Sequence, residues 1–205
     1  MRVKPLDESA ILWSREPDGG PLLVMLHGYG GNEYDFEPFL DRVPQGVTAA
    51  SLRGPTPLRD RWCWVDFPSE GVAGATAAVR GVLAWLDRTP ASRAALLGFS
   101  QGGATAVHLL RSAPTRVEAV AEVSGFVWEG RAHSGVARIR PPVFSAFGEV
   151  DEVVDARLRG LSEAWLGDHC ATRFARYPGI GHVMHDRILG DALAFLTPFL
   201  LPDGS

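Results

Sequence analysis

The chain has 205 residues, 46% of them hydrophobic and 21% charged, with a formal net charge of −4. That length and composition fit one globular domain over residues 1–205, and a mildly acidic chain with scattered arginines argues against a nucleic-acid partner. With no apolar run near the roughly 18 residues that cross a bilayer, no signal-like apolar core in the first ten residues and only Cys63 and Cys170 as thiols, we expect a cytoplasmic protein without stable membrane insertion, a monomer or homodimer. In chain order the patterning predicts strands at 10–14, 22–26, 47–52, 94–98, 117–124, 143–147 and 172–177. It predicts helices at 34–41, 73–87, 101–112, 155–166 and 186–200, with Asp155 and Asp186 as N-caps. Short apolar runs alternating with helical segments indicate an α/β class protein, a mostly parallel buried sheet with helices on both faces. The stretches 53–71 and 126–142, rich in Gly, Pro and aromatic residues, read as loops near strand ends, where such sheets place their sites.

The most informative segment is Gly98-Phe99-Ser100-Gln101-Gly102-Gly103. It puts a serine at a strand-to-helix corner with Gly98 and Gly102 two residues to either side, the pattern of a nucleophile elbow. The free amides at the start of the following helix face any negative charge that develops beside Ser100.

A serine hydroxyl needs a base to take its proton and an acid to orient that base. In hydrolases built on such an elbow the partners follow in the order nucleophile, acid, histidine. Asp151 follows the strand at 143–147, and His182 follows the strand ending at Tyr177. Asp151 is preferred over Glu149 and Glu152, which read as solvated loop charges, and over Asp155, which reads as a helix cap. His182 is preferred over His185 because Gly179 and Gly181 permit a close turn. His108 and His169 fall within helices, and His133 lies in a loop of no assigned role.

The oxyanion of an acyl-transfer intermediate requires N–H donors. Gln101 N–H follows the nucleophile, and Tyr29 N–H lies in the glycine loop His27-Gly28-Tyr29-Gly30-Gly31-Asn32 after an early strand. His27 precedes the nucleophile and is expected to hold that loop together with Gly28 and Gly30. Trp64, Phe126, Val127 and Met184 lie on loops expected to converge near Ser100 as an apolar acyl pocket. There is no phosphate-cradle or dinucleotide motif and no spaced metal-ligand set; a cluster of His182, His185 and Asp186 is the weaker reading of those residues. A mechanism without metal or cofactor is expected.

Taken together, the His-Gly-Tyr-Gly-Gly-Asn segment, the Gly-Phe-Ser-Gln-Gly-Gly elbow, the Asp151 loop, Gly-Ile-Gly-His and the Trp62-Cys-Trp-Val-Asp66 stretch resemble the phospholipase/carboxylesterase family of α/β-hydrolases, which includes the acyl-protein thioesterases. The glutamine after the serine is the family's distinguishing residue, and the resemblance runs from about Leu22 to Leu200. It implies an α/β-hydrolase fold, Ser100, Asp151 and His182 as a triad, and Tyr29 with Gln101 as oxyanion donors. Asn32 and Asp155 depart from the family's usual aspartate and proline. The expected function is a serine carboxylesterase acting on small-molecule esters or thioesters. The alternatives are an acyl-protein thioesterase or lysophospholipase type of activity, and a non-catalytic binding protein of the same fold.

Overall fold

A computed structural model describes residues 3–67, 69–130 and 135–202. Its first half contains β1 (Leu12–Trp13), β2 (Leu22–Leu26), β3 (Thr48–Leu52), β4 (Thr56–Leu58), β5 (Arg61–Cys63), α1 (Gly71–Leu86) and β6 (Ala94–Phe99). The second contains α2 (Gln101–Ser112), β7 (Val120–Val123), α3 (Val136–Ile139), β8 (Pro142–Gly148), α4 (Ala156–His169), β9 (Ala171–Tyr177) and α5 (Asp186–Leu200).

One sheet has the strand order β1-β3-β2-β6-β7-β8-β9, and β4 pairs with β5 in a separate hairpin. Within the large sheet β1 runs antiparallel to β3, and the other pairings are parallel. All residues of β2 are buried, as they must be in a strand covered on both faces. The pleat sorts them by alternation. Leu22, Val24 and Leu26 join a core with Val79, Val82 and Trp85 of α1 and Val107 and Leu110 of α2. Leu23 and Met25 join the opposite core with Phe36, Phe39 and the α5 residues Ile188, Ala192 and Leu196.

From β2 the chain moves outward to β3, then returns to set β6 on the other side of β2 and continues to β7, β8 and β9. At such a reversal the loops leaving the two central strands part toward opposite faces and open a crevice at the carboxyl edge. The loop after β2 and the corner after β6 are those two loops.

Several elements differ from the sequence pattern. The helix expected at 34–41 is a run of 3-10 turns over Glu33–Arg42 with Pro38 inside it, because proline lacks the N–H for an α-helical bond and disfavours the α conformation just before it. Asn32 caps this run through Tyr34 N–H. The cap of α5 is His185, whose Nδ1 accepts from Arg187 N–H, and Asp186 is the first helical residue. Asp155 does cap α4, accepting from Leu158 N–H at 2.8 Å. The β4–β5 hairpin and α3 occupy stretches that read as loops. Cys63 and Cys170 are buried free thiols.

Beneath the corner after β6 lies a buried carboxyl. Glu122 of β7 pairs in register with Gly98 on one side and Ser145 on the other and is 1% exposed. Ser145 Oγ–H donates to one of its oxygens and Gly125 N–H donates to the other at 2.8 Å. Burial raises its pKa to about 7, against the pull of those two hydrogen bonds and with a small addition from the Glu163 charge. An unfolded glutamate titrates near 4.5, so between about pH 4.5 and 7 the folded chain holds a proton that the unfolded chain has lost. Stability from this group therefore falls as pH rises through that window and is level above it. Glu122→Gln offers an amide that can replace both contacts and cannot ionise. Urea unfolding at pH 5 and pH 8 should show a variant gaining on the wild type by roughly 3 kcal/mol between the two conditions; parallel pH dependences would sink the assignment.

Candidate active site

Ser100 sits between β6 and α2 with φ 53° and ψ −117°, a sparsely populated conformation that costs on the order of 1–3 kcal/mol and persists only where the surroundings enforce it. The enforcement is steric and hydrogen-bonded. A Cβ on Gly98 would stand 2.4 Å from the carbonyl of Gly102, and one on Gly102 would stand 2.0 Å from Leu26 O, so neither position admits a side chain. Ser100 N–H donates to Val123 O at 2.8 Å.

Against this corner the loops after β8 and β9 bring an imidazole and a carboxyl. His182 Nε2 lies 2.9 Å from Ser100 Oγ, and His182 Nδ1 lies 2.8 Å from Asp151 Oδ2. With a carboxylate at Nδ1, that nitrogen carries the proton and Nε2 is free to accept from the serine hydroxyl. The second carboxyl oxygen accepts Val153 N–H and Val154 N–H at 2.9 and 3.1 Å. Burial would raise the Asp151 pKa, but the hydrogen bond to His182 and the two amides outweigh it and hold the group below its ordinary value. Val150 N–H to Ile180 O and Glu149 N–H to Tyr177 O tie the two loops together, and the Phe99 ring lies 4.9 Å from the imidazole. Glu149 and Glu152 are exposed, Asp155 and His185 are committed to caps, and His133 lies outside the described residues.

The loop after β2 closes on the other side of Ser100. Gly28 approaches so closely that a Cβ there would be 3.1 Å from the Phe99 ring and 3.5 Å from Ser100 Cβ. His27 is fully buried. Its Nδ1–H donates to Gly28 O at 2.7 Å while Nε2 accepts Gly54 N–H at 2.9 Å, which requires the neutral ring. Burial lowers its pKa accordingly. Gly30 N–H is bound to Trp62 O and Gly31 N–H to Gly28 O, whereas the amides of Tyr29 and Gln101 have no acceptor among the described residues. Two unengaged donors thus flank the serine.

Sequence reasoning missed the task of the Gln101 side chain. It is fully buried; Oε1 accepts Trp64 N–H at 2.8 Å and Val65 N–H at 3.3 Å, and Nε2 donates to Val65 O at 2.7 Å. The segment after β5 is thereby fastened to the first turn of α2. Trp64 was expected in an acyl pocket, and the structure corrects this. Its side chain is fully buried in the core beneath the site, with the indole N–H donating to His27 O at 2.8 Å, so no face remains for a substrate. Met184 packs against the core on the α5 side of the sheet, and Phe126 and Val127 pack against the core on the opposite side, so the expected pocket residues do not share one wall. Phe67 and Trp128, absent from the sequence-based set, pack with Phe126 instead; the aromatic content of 53–71 and 126–142 was the available signal. Among the described residues no group of three His, Cys, Asp or Glu side chains is placed to hold a metal, and no helix is long and apolar enough to cross a membrane.

Truncating Gln101 to alanine would leave two buried N–H groups and a carbonyl without partners. Gln101→Ala is therefore expected to lose roughly 2–5 kcal/mol of unfolding free energy, read from denaturant midpoints, and a loss below about 1 kcal/mol would show that the bridge is not needed.

The chain is 30% identical over 156 residues to NocK of Nocardia uniformis subsp. tsuyamanensis, a protein named as an esterase; the match covers 66% of this chain and 41% of that protein. Among solved structures, the Bacillus cereus carboxylesterase superposes with a TM-score of 0.78 at 18% identity, covering 92% of this chain and 93% of the other. Acyl-protein thioesterase 2 of Zea mays gives a TM-score of 0.76 at 21% identity, covering 93% and 98%. These likenesses establish the α/β-hydrolase fold. The Phospholipase/Carboxylesterase family profile matches residues 77–200, the stretch that supplies Ser100, Asp151 and His182, and the chain therefore belongs to the phospholipase/carboxylesterase family of ester hydrolases.

Proposed function

We propose that the protein is a serine esterase that cleaves carboxylic esters and thioesters of small molecules through an acyl-enzyme. The observation that carries this reading is the continuous hydrogen-bonded series from Ser100 through His182 to Asp151 at a strained elbow. A protein that only bound a ligand would have no use for nucleophile, base and acid in series.

In the first half-reaction Ser100 Oγ bonds to the substrate carbonyl carbon, its proton passes to His182 Nε2, and the carbonyl electron pair moves onto oxygen. The amides of Tyr29 and Gln101 are the donors assigned to that oxyanion. Collapse re-forms the carbonyl and breaks the bond to the leaving oxygen or sulfur, which takes the proton from His182. Water then attacks the acyl-enzyme, giving a proton to His182; collapse releases the acid and returns that proton to Ser100 Oγ. Asp151, held as a carboxylate by His182 and two amides, keeps the imidazole in the required tautomer and offsets its transient positive charge.

Ser100→Ala and His182→Ala are each expected to lower ester turnover at least about 10⁴-fold, with little further loss on combination, since such groups act as a unit. Asp151→Asn is expected to cost about 10⁴-fold by favouring the wrong tautomer. A fluorophosphonate probe should mark Ser100 in the wild type and fail to mark His182→Ala. Substantial turnover by folded Ser100→Ala, or no labelling and no turnover in the wild type, would refute the reading; the latter would favour a binding protein.

A further inference from the structure

Four aromatic rings from the loops after β2, β5 and β7 form a continuous arc. Tyr29 and Phe67 have ring centroids 5.3 Å apart, Phe67 lies 6.0 Å from Phe126 and 5.6 Å from Trp128, and Phe126 meets Trp128 edge-on at 5.1 Å. Tyr29 and Phe67 are 41% and 43% exposed, so this end of the arc is open to a ligand.

Both ends of the arc are tied to the elbow. Tyr29 follows Gly28, whose backbone abuts Ser100 Cβ, and its own amide is the assigned oxyanion donor. Phe126 follows Gly125, whose Cα would lie 3.3 Å from a Cβ on Gly103 in the first turn of α2. The far wall is held in place from behind. Val127 N–H donates to Ser162 Oγ at 2.9 Å, and the buried Arg111 guanidinium donates to the carbonyls of Trp128 and Gly130. On their other side Phe126 and Trp128 line a cleft of about 260 Å³ together with Val72, Val127, Glu129 and Leu158.

We propose that this arc is the acyl-binding surface and that it selects aryl-acyl substrates, such as phenylacetyl esters and thioesters, over linear acyl chains; this rests on the serine esterase reading above. Aromatic rings on a fixed wall pair with a planar aryl group in offset or edge-on contact beyond what area burial supplies. A phenyl ring loses little conformational freedom on binding, whereas an alkyl chain loses a rotor at each carbon it orders. The cleft is small beside typical ligand pockets, which suits a ring. Glu129 disfavours acyl groups that end in a carboxylate.

The test uses N-acetylcysteamine thioesters of phenylacetic and octanoic acids, which share a carbon count and a leaving group, with release of thiol as the readout. Wild-type kcat/KM should favour phenylacetyl by roughly tenfold. In Phe67→Leu, a change at an exposed position, and in Trp128→Leu, the phenylacetyl-to-octanoyl ratio should fall at least about fivefold, a ratio in which any general loss of activity cancels. A wild-type ratio of one or below, or a ratio unchanged in Phe67→Leu, overturns the proposal. So does an aryl preference that appears only when the ring is moved to the leaving thiol of an acetyl thioester. Fluorophosphonate labelling of Ser100 with thioester turnover but no aryl preference defeats this inference alone; absence of both labelling and turnover defeats the esterase reading beneath it.

Discussion

The close approach of α2 to the end of β2 is the contact on which the site depends. With no side chain at Gly102, the first turn of α2 rests against Leu26 O and His27 O. This brings the start of a helix, the end of a central strand and the loop that follows it to one point. The backbone of Ser100 is forced into its strained corner by the same contact, since the chain must pass from β6 into a helix already pressed against β2. Placing the corner at the reversal of strand order lets the loop after β2 and the helix after β6 approach the serine from different sides.

A network of buried polar groups converts that contact into fixed loops. Gln101 binds the Trp64–Val65 backbone, the Trp64 indole binds His27 O, and the His27 ring binds Gly28 O and Gly54 N–H. Each group in the series is buried and has its partner, so the arrangement is rigid, and removal of one member exposes the others to an unpaired state. The series ends beside Tyr29, which makes the position of an assigned oxyanion donor a consequence of packing several residues away.

Much of this could be read from the chain. Ser100, Asp151 and His182 each follow a strand, and a parallel sheet gathers the carboxyl ends of its strands on one edge, so sequence order alone sets their loops side by side. Spacing carries less information about direction. Trp64 looked like pocket lining because it is aromatic and lies on a loop, yet its indole N–H needs an acceptor and finds one below the site. Phe67 meets Phe126 and Trp128 across about sixty positions, a meeting that depends on the β4–β5 hairpin hooking onto Gly30 and Gly31 and leaves no local period. The 34–41 segment shows the converse: its apolar spacing is helical, but Pro38 removes the bond an α-helix needs there.

Two buried carboxyls on neighbouring strand ends show how donors decide charge. Asp151, after β8, receives an imidazole and two amides, which together overcome its burial. Glu122, on β7, receives one hydroxyl and one amide, and burial prevails. The difference suits their positions. In the proposed mechanism a carboxylate at Asp151 faces an imidazole that becomes positive during turnover, so its charge would lower the barrier. Glu122 packs against Gly103 in the first turn of α2, where the helix field favours negative charge. A permanent carboxylate there would occupy the field that, in the proposed mechanism, serves an oxyanion at Ser100. A carboxyl that burial shifts toward its neutral form can fill that volume and brace Gly125 and Ser145 while competing less for the positive end of the helix.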